Sequence, residues 1–374
     1  MEYRKWKKIP VETSLLGFGS MRLKTVNDKI DEELALKLVD YAYNNGVNYF
    51  DMAMPYLDGQ NESFMGRALK RYKRDTFYIA TKLSLWMFET KEEIEQVIDR
   101  QLENLQTSYI DCYLLHALNK EKFEKIKRLG VMDIVRKWKK EGKIKYIGFS
   151  FHDEYDIYKE ILNFYDWDFC QLQLNYMDQD TQQGIKGYYD ALNKGIPVIV
   201  MEPVKGGDLA KFNDKVSSIF YDYNKQASLS SWAFRWVGSL VGVKLILSGM
   251  NTLEQLKDNL KTFDNFKPLN EEEQVLVSKV KEELKKIVEV GCTRCEYCLP
   301  CPYGVNIPRN FKIFNNYAMY KNENSALFNF KELKKEKADA SICVACGECI
   351  SKCPQKINIP EELSRMLTEM RFLK

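Results

Sequence analysis

The stretch YIDCYLLH, residues 109–116, is short, almost wholly apolar, rich in aromatic and branched side chains, and ends on a histidine. A run of this length and composition fits a strand buried on both faces. The pattern repeats outward in both directions. SLLGFG (14–19), VNYFDM (47–52), TFYIATKL (76–83), IKYIGFS (144–150), FCQLQLNY (169–176), PVIVME (197–202) and KLILSG (244–249) are runs of the same kind. Between them lie amphipathic segments. DEELALKLVDYAYNNG (31–46) ends on a glycine, TKEEIEQVIDRQLENLQ (90–106) opens on Thr90 as an N-cap, and TLEQLKDNLKTF (252–263) follows the eighth run. Eight strands alternating with helices over residues 13–262 predict an α/β fold, a (β/α)8 TIM barrel rather than an open doubly wound sheet. No GxGxxG follows the first strand, and GFGSMR (17–22) does not fit that pattern, which disfavours a Rossmann dinucleotide site.

The chain has 374 residues, 45% hydrophobic and 29% charged, with a net charge of +3. That balance supports a large core and argues against a nucleic-acid partner, which would want a strong basic excess on one face. The basic segment KRLGVMDIVRKWKKEGKIK (127–145) has apolar residues at helical spacing and is a solvated helix face. No apolar run approaches the length of a membrane span, and the first residues lack the apolar core of a signal peptide. A soluble, cytoplasmic protein with no membrane partner is expected.

Eight of the ten cysteines lie between residues 292 and 353. Cys112 and Cys170 fall in strand runs and are expected to be small core residues. The other eight form two windows, CxxCxxCxxCP at Cys292, Cys295, Cys298 and Cys301, and CxxCxxCxxxCP at Cys343, Cys346, Cys349 and Cys353. A disulfide framework suits small secreted chains, and zinc commonly takes two separated CxxC pairs. The second window is the bacterial ferredoxin run for a [4Fe–4S] cluster, in which the cysteine before proline reaches the other cluster. Two [4Fe–4S] clusters with crossed ligation are therefore expected. Cys292, Cys295, Cys298 and Cys353 would hold one, and Cys343, Cys346, Cys349 and Cys301 the other. The segment between the windows (305–340) is helical in pattern, so a small α-helical ferredoxin-like domain is expected over 291–374, after a barrel over 1–265 and a helical linker over 266–290.

In such a barrel the chemistry sits at the C-terminal strand ends. There the sequence places Asp51, Lys82 and His116 on three successive strands and Tyr56 in the loop after the first. A tyrosine is a poor acid near neutrality, with a pKa of ~10; a nearby ammonium is expected to lower it, and a carboxylate would keep the ammonium charged. A histidine can orient a carbonyl oxygen beside the hydroxyl. Each residue alone has an ordinary structural role open to it; the set together points to general acid catalysis at a carbonyl, with Tyr56 as proton donor.

With NYFDMAMPY, IATKL, IDCYLLH, GKIKYIGFS and LSGMNTLEQLKDNL in order, the chain resembles the aldo-keto reductase family over residues 8–262. With the cysteine windows it resembles the branch that carries a C-terminal ferredoxin-type domain. The resemblance implies reversible NADP(H)- or NAD(H)-dependent reduction of a small-molecule carbonyl by the tetrad Asp51, Tyr56, Lys82 and His116. It also implies that Ser150 and Gln171 hold the nicotinamide carboxamide, and that Ser248, Gly249, Met250 and Asn259 lie along the phosphates and adenosine. The chain departs from the family pattern at Phe151 and His152, at Glu202, where an aromatic often stacks on the ring, and at Gln255, where a basic residue commonly meets the 2′-phosphate.

The clusters admit structural, regulatory or electron-relaying roles. The alternative function is an electron-transfer reductase in which they pass single electrons between an external carrier and a substrate or flavin in the barrel. A redox sensor on a retired barrel is opposed by the complete tetrad. The aromatics Trp86, Phe88, Phe220 and Tyr221 lie in loops that would shape a pocket.

Overall fold

The computed structural model describes residues 1–373. They form two compact units, residues 1–203 with 233–270, and residues 204–232 with 271–373.

The first unit is a closed barrel of parallel strands: β1 (Leu16–Gly19), β2 (Tyr49–Asp51), β3 (Tyr78–Leu83), β4 (Ile110–Leu118), β5 (Ile144–Phe151), β6 (Phe169–Gln173), β7 (Val198–Met201) and β8 (Val243–Ser248). Each pairs with the next, and β8 closes on β1 with Ile246 opposite Leu16. All eight expected strands are present. An antiparallel hairpin that the sequence reading missed, Tyr3–Trp6 with Val11–Ser14, precedes them. Its Trp6, Ile9 and Val11 pack with Tyr49, Ala80, Leu114 and Phe169, plugging the end where the strands begin.

Side chains alternate across a strand, and this parity positions the site. Tyr49, Ala80, Cys112, Leu114 and Phe169 share the interior cluster. Two residues further along each strand, Asp51, Lys82, His116 and Gln171 point inward at the opposite end. Cys112 and Cys170 are fully buried, as expected. The bore is tight where glycines face large side chains: a Cβ on Gly148 would lie 2.6 Å from the Phe169 ring. Gly148→Val is therefore expected to destabilise the protein by about 1–3 kcal/mol through overpacking. An unchanged denaturant midpoint would contradict that packing.

Several of the barrel helices start on side-chain caps. Asp31 accepts from Leu34 N at the head of Glu32–Asn44, and Thr90 forms a capping box with Glu93. In the basic segment, helix Val131–Lys140 buries Val131, Ile134, Val135 and Trp138 and turns its lysines outward.

In the second unit, helices Ile307–Tyr320, Glu323–Lys335 and Ile359–Glu369 surround a core that includes Phe311, Phe314, Phe330, Leu333, Leu363 and Met366. Segment 204–232 and helix Glu271–Lys285 group with these rather than with the barrel or a free linker. Non-local contacts draw them in: Asn322 Nδ2 donates to Asp208 Oδ1 at 2.8 Å, and Asn213 N to the Met319 carbonyl at 3.3 Å. Among the described residues no helix is long and apolar enough to cross a membrane.

Candidate active site and iron–sulfur centre

At the strand ends Lys82 Nζ donates to Asp51 Oδ1 at 2.5 Å and to the Met52 carbonyl at 2.6 Å, with both side chains buried. The same ammonium stands 4.9 Å from the centre of the half-buried Tyr56 ring. The Tyr56 and His116 rings meet edge to face with centroids 5.7 Å apart. The four expected residues are thus one contiguous cluster.

Its electrostatics differ from expectation on one point. Burial raises the Tyr56 pKa above its ordinary value, and the Lys82 ammonium, pulling the other way, does not cancel that rise. The sequence shows which charges are neighbours but not how much water the hydroxyl loses. Burial also works against the Lys82 ammonium, yet Asp51 and Tyr56 outweigh it and hold Lys82 above its usual value. His116 is pushed well below the usual imidazole value by burial, then by Lys82, Lys122 and His152. The ring is neutral near pH 7. Its Nδ1 lies 2.7 Å from Ser84 Oγ, itself buried, which leaves Nε2 as the other polar atom of the imidazole. Ser84 was missed from sequence; its signal is only that it follows Lys82 by two residues, directly after the strand. Trp86 also covers His116, with centroids 4.8 Å apart. Of the other loop aromatics, Phe88 is buried, Phe220 stacks on Trp232 in the second unit, and Tyr221 is exposed.

The residues expected to hold a nicotinamide fall into two groups. Ser150 Oγ accepts from Ala117 N at 2.7 Å, next to His116. Gln171 Nε2 meets Met201 Sδ at 3.4 Å, and among the described residues its buried Oε1 has no hydrogen-bond partner. A buried amide oxygen without a donor suits a carboxamide N–H. On β8 and the helix after it, Asn259 Nδ2 donates to Ser248 Oγ at 2.9 Å. Met250 is buried, and Gly249 lies so near Arg22 that a Cβ there would come within 2.7 Å of Arg22 Cγ. The missing Cβ of Gly249 thus makes room for the Arg22 side chain at the end of β8, and an arginine there suits a phosphate, so these residues fit the group. Arg22 was also missed from sequence. Glu202 adopts φ 53° and its carbonyl accepts from Asn175, while Gln255 Oε1 accepts from Asn251 N.

In the second unit the cysteines border two cavities. One is lined by Cys292, Cys295, Cys298 and Cys353. The other is lined by Cys301, Cys343, Cys346 and Cys349, and Cys298 borders this one too. Both loops place left-handed residues at equivalent points, Arg294 and Glu296 in the first and Ala345 and Gly347 in the second. The thiols ring a space instead of meeting at a point. Among the described residues no three His, Cys, Asp or Glu side chains converge as a single ion requires. Four thiols around one space suit a multi-iron cluster. Burial pushes the Cys298 thiol up to about 11, with its neighbouring cysteines adding to the shift.

The family model of the aldo/keto reductase family matches residues 15–282, and that of a 4Fe-4S dicluster domain matches residues 291–358. Among curated proteins, the chain is 32% identical over 151 residues to a probable aldo-keto reductase 1 of Glycine max, covering 37% of this chain and 42% of that one. It is 24% identical to the oxidoreductase YqkF of Bacillus subtilis, over 76% of this chain and 99% of that one. It is 23% identical to the L-galactose dehydrogenase of Arabidopsis thaliana, over 77% and 96%. Among solved structures, the holo form of an aldo-keto reductase from Bacillus halodurans superposes with a TM-score of 0.63 at 25% identity, covering 75% of this chain and 96% of that one. The chain belongs to the aldo/keto reductase family, as an oxidoreductase whose barrel is followed by a 4Fe–4S dicluster domain.

Proposed function

We propose that the barrel reduces the carbonyl of a small molecule at the expense of NADPH or NADH, with Tyr56 as proton donor. The observation that carries this reading is the buried Lys82–Asp51 pair under Tyr56, beside a neutral His116. Bound nicotinamide supplies the hydride. Gln171 and Ser150 orient its carboxamide, and Ser248, Gly249, Met250 and Asn259 with Arg22 lie along its phosphates and adenosine. His116 Nε2 holds the carbonyl oxygen, and Tyr56 gives it a proton as negative charge builds there. Lys82 then stabilises the phenolate left behind, while Asp51 keeps Lys82 charged and in place.

The pH dependence follows from the signs. Reduction needs Tyr56 protonated, so activity is full below its pKa, and the upward shift moves the loss to higher pH. It also needs His116 neutral, so the downward shift moves the acid loss to lower pH. kcat/KM for reduction is expected to be flat from about pH 6.5 to 10, the ordinary values of the two groups. An inflection near neutrality would contradict the assignment.

A second reading is favoured by the exposure of Cys295 and Cys346, one in each cysteine set. Clusters at these sites would relay single electrons to an external carrier. Anaerobic titration of the cluster-replete protein with NADPH and with NADH tests both readings. Nicotinamide binding with clusters that stay oxidised, together with aldehyde turnover, supports carbonyl reduction. Bleaching of the clusters without aldehyde turnover replaces it with the electron-transfer reading.

A further inference from the structure

Lys122 is a charged element of the His116 surroundings to which the proposed reaction gives no task. Its Nζ donates to the carbonyl of Ala117, the residue after His116, at 2.7 Å, and stands 4.7 Å over the Trp86 ring. Trp86 in turn lies against His116. Among the described residues no carboxylate comes within 4 Å of this half-buried ammonium. Lys125 and Lys127 on the same helix do have such partners, in Glu89 and Glu124. Glu121 and Asp153 act on Lys122 only from farther away, and Asp153 is already engaged by the backbone amides of Lys120 and Glu154. The placement does not serve the helix either. Lys122 sits in the first turn of Lys120–Leu129, the end where the macrodipole disfavours a cation.

The charge is felt at the reacting end. After burial, Lys122 and His152 both help to depress His116, and His152 is itself depressed by burial and then by Lys122. Lys82 is paired with Asp51, whereas Lys122, with Glu121 and Asp153 acting only from farther away, adds positive charge near the imidazole.

We propose that the substrate carries a carboxylate as well as its reducible carbonyl, and that Lys122 receives that carboxylate while His116 and Tyr56 take the carbonyl oxygen. The inference rests on the carbonyl-reductase reading. A single ammonium with two free N–H groups suits one carboxylate better than a phosphate, which would want further donors. The ammonium would hold the acid against the Trp86 ring, and a neutral carbonyl compound would leave it unpaired.

The test compares 4-carboxybenzaldehyde with methyl 4-formylbenzoate, which differ in charge and keep the same aldehyde. In the wild type kcat/KM is expected to favour the acid by about tenfold, mainly through KM, the scale of one hydrogen bond to a charged group. Lys122→Gln should collapse that ratio toward one, and Lys122→Arg should keep most of it. An equal fall for both substrates in Lys122→Gln, or no preference in the wild type, overturns the proposal and leaves Lys122 as a tie for the strand end. Calorimetry on the holoprotein with 4-(hydroxymethyl)benzoate and its methyl ester separates the two readings. If neither aldehyde turns over, carbonyl reduction fails. Tighter binding of the acid that is lost in Lys122→Gln would still uphold the anion receptor, and equal binding would sink it.

Discussion

Tyr56→Phe is expected to lower kcat for carbonyl reduction by about 10²–10⁴, the usual range for a lost general acid. Iron and sulfide content stays at the wild-type level, because Tyr56 belongs to the barrel unit and all eight cluster cysteines to the other. The substitution removes one oxygen and keeps a ring against Lys82 and His116. Lys82 is a poorer probe: without it Asp51 is a buried carboxylate with no counter-charge, at a cost of about 3–5 kcal/mol, and lost fold would be confused with lost chemistry. The measurement is steady-state reduction of an aldehyde under anaerobic conditions, beside nicotinamide affinity by fluorescence. Unchanged affinity with collapsed kcat places the hydroxyl at the proton-transfer step. Near wild-type turnover would remove Tyr56 as donor and take with it the roles drawn for Lys82 and His116.

The barrel was legible because its strands carry a local signal. Tyr49 and Asp51, or Ala80 and Lys82, are two residues apart, so one parity fills the bore and also supplies the polar strand ends. What stayed illegible depends on contacts far along the chain. Ser84 meets His116 across 32 residues, and nothing in SLW marks that serine. Lys122 resembles its helix neighbours until the missing carboxylate is seen. Segment 204–232 follows the seventh strand without any break in composition, and only contacts such as Asp208 with Asn322, 114 residues apart, assign it to the second unit. The hairpin at residues 3–14 is charged and short, with Trp6, Ile9 and Val11 as its anchors. The Tyr56 shift failed for another reason: neighbouring charges can be inferred from strand order, but desolvation is a property of the assembled site.

Cys301→Ala is expected to remove the cluster held by Cys343, Cys346 and Cys349, and to spare the one held by its own sequence neighbours. Sequence proximity argues the reverse, since Cys301 follows Cys298 by three residues. The cavities favour the crossed arrangement: Cys301 lines the one bordered by the later triplet and Cys353 the one bordered by Cys292 and Cys295, while Cys298 borders both. Each cubane needs four thiolates, so loss of either set should cut iron and sulfide by about half. Quantity alone therefore does not reveal the pairing; identity of the survivor does. Crossed ligation requires that Cys301→Ala and Cys343→Ala leave the same residual paramagnetic spectrum after anaerobic reduction, and that Cys353→Ala and Cys292→Ala share the other. In each variant the broadening from spin–spin interaction between two reduced clusters should vanish. If Cys301→Ala instead matches Cys292→Ala, each window holds its own cluster. The helices between the windows would then only join two independent sites. With crossed ligation those helices are enclosed by it: each cluster ties a residue before Ile307–Tyr320 to one after Glu323–Lys335, and removing either cluster is expected to loosen the whole unit.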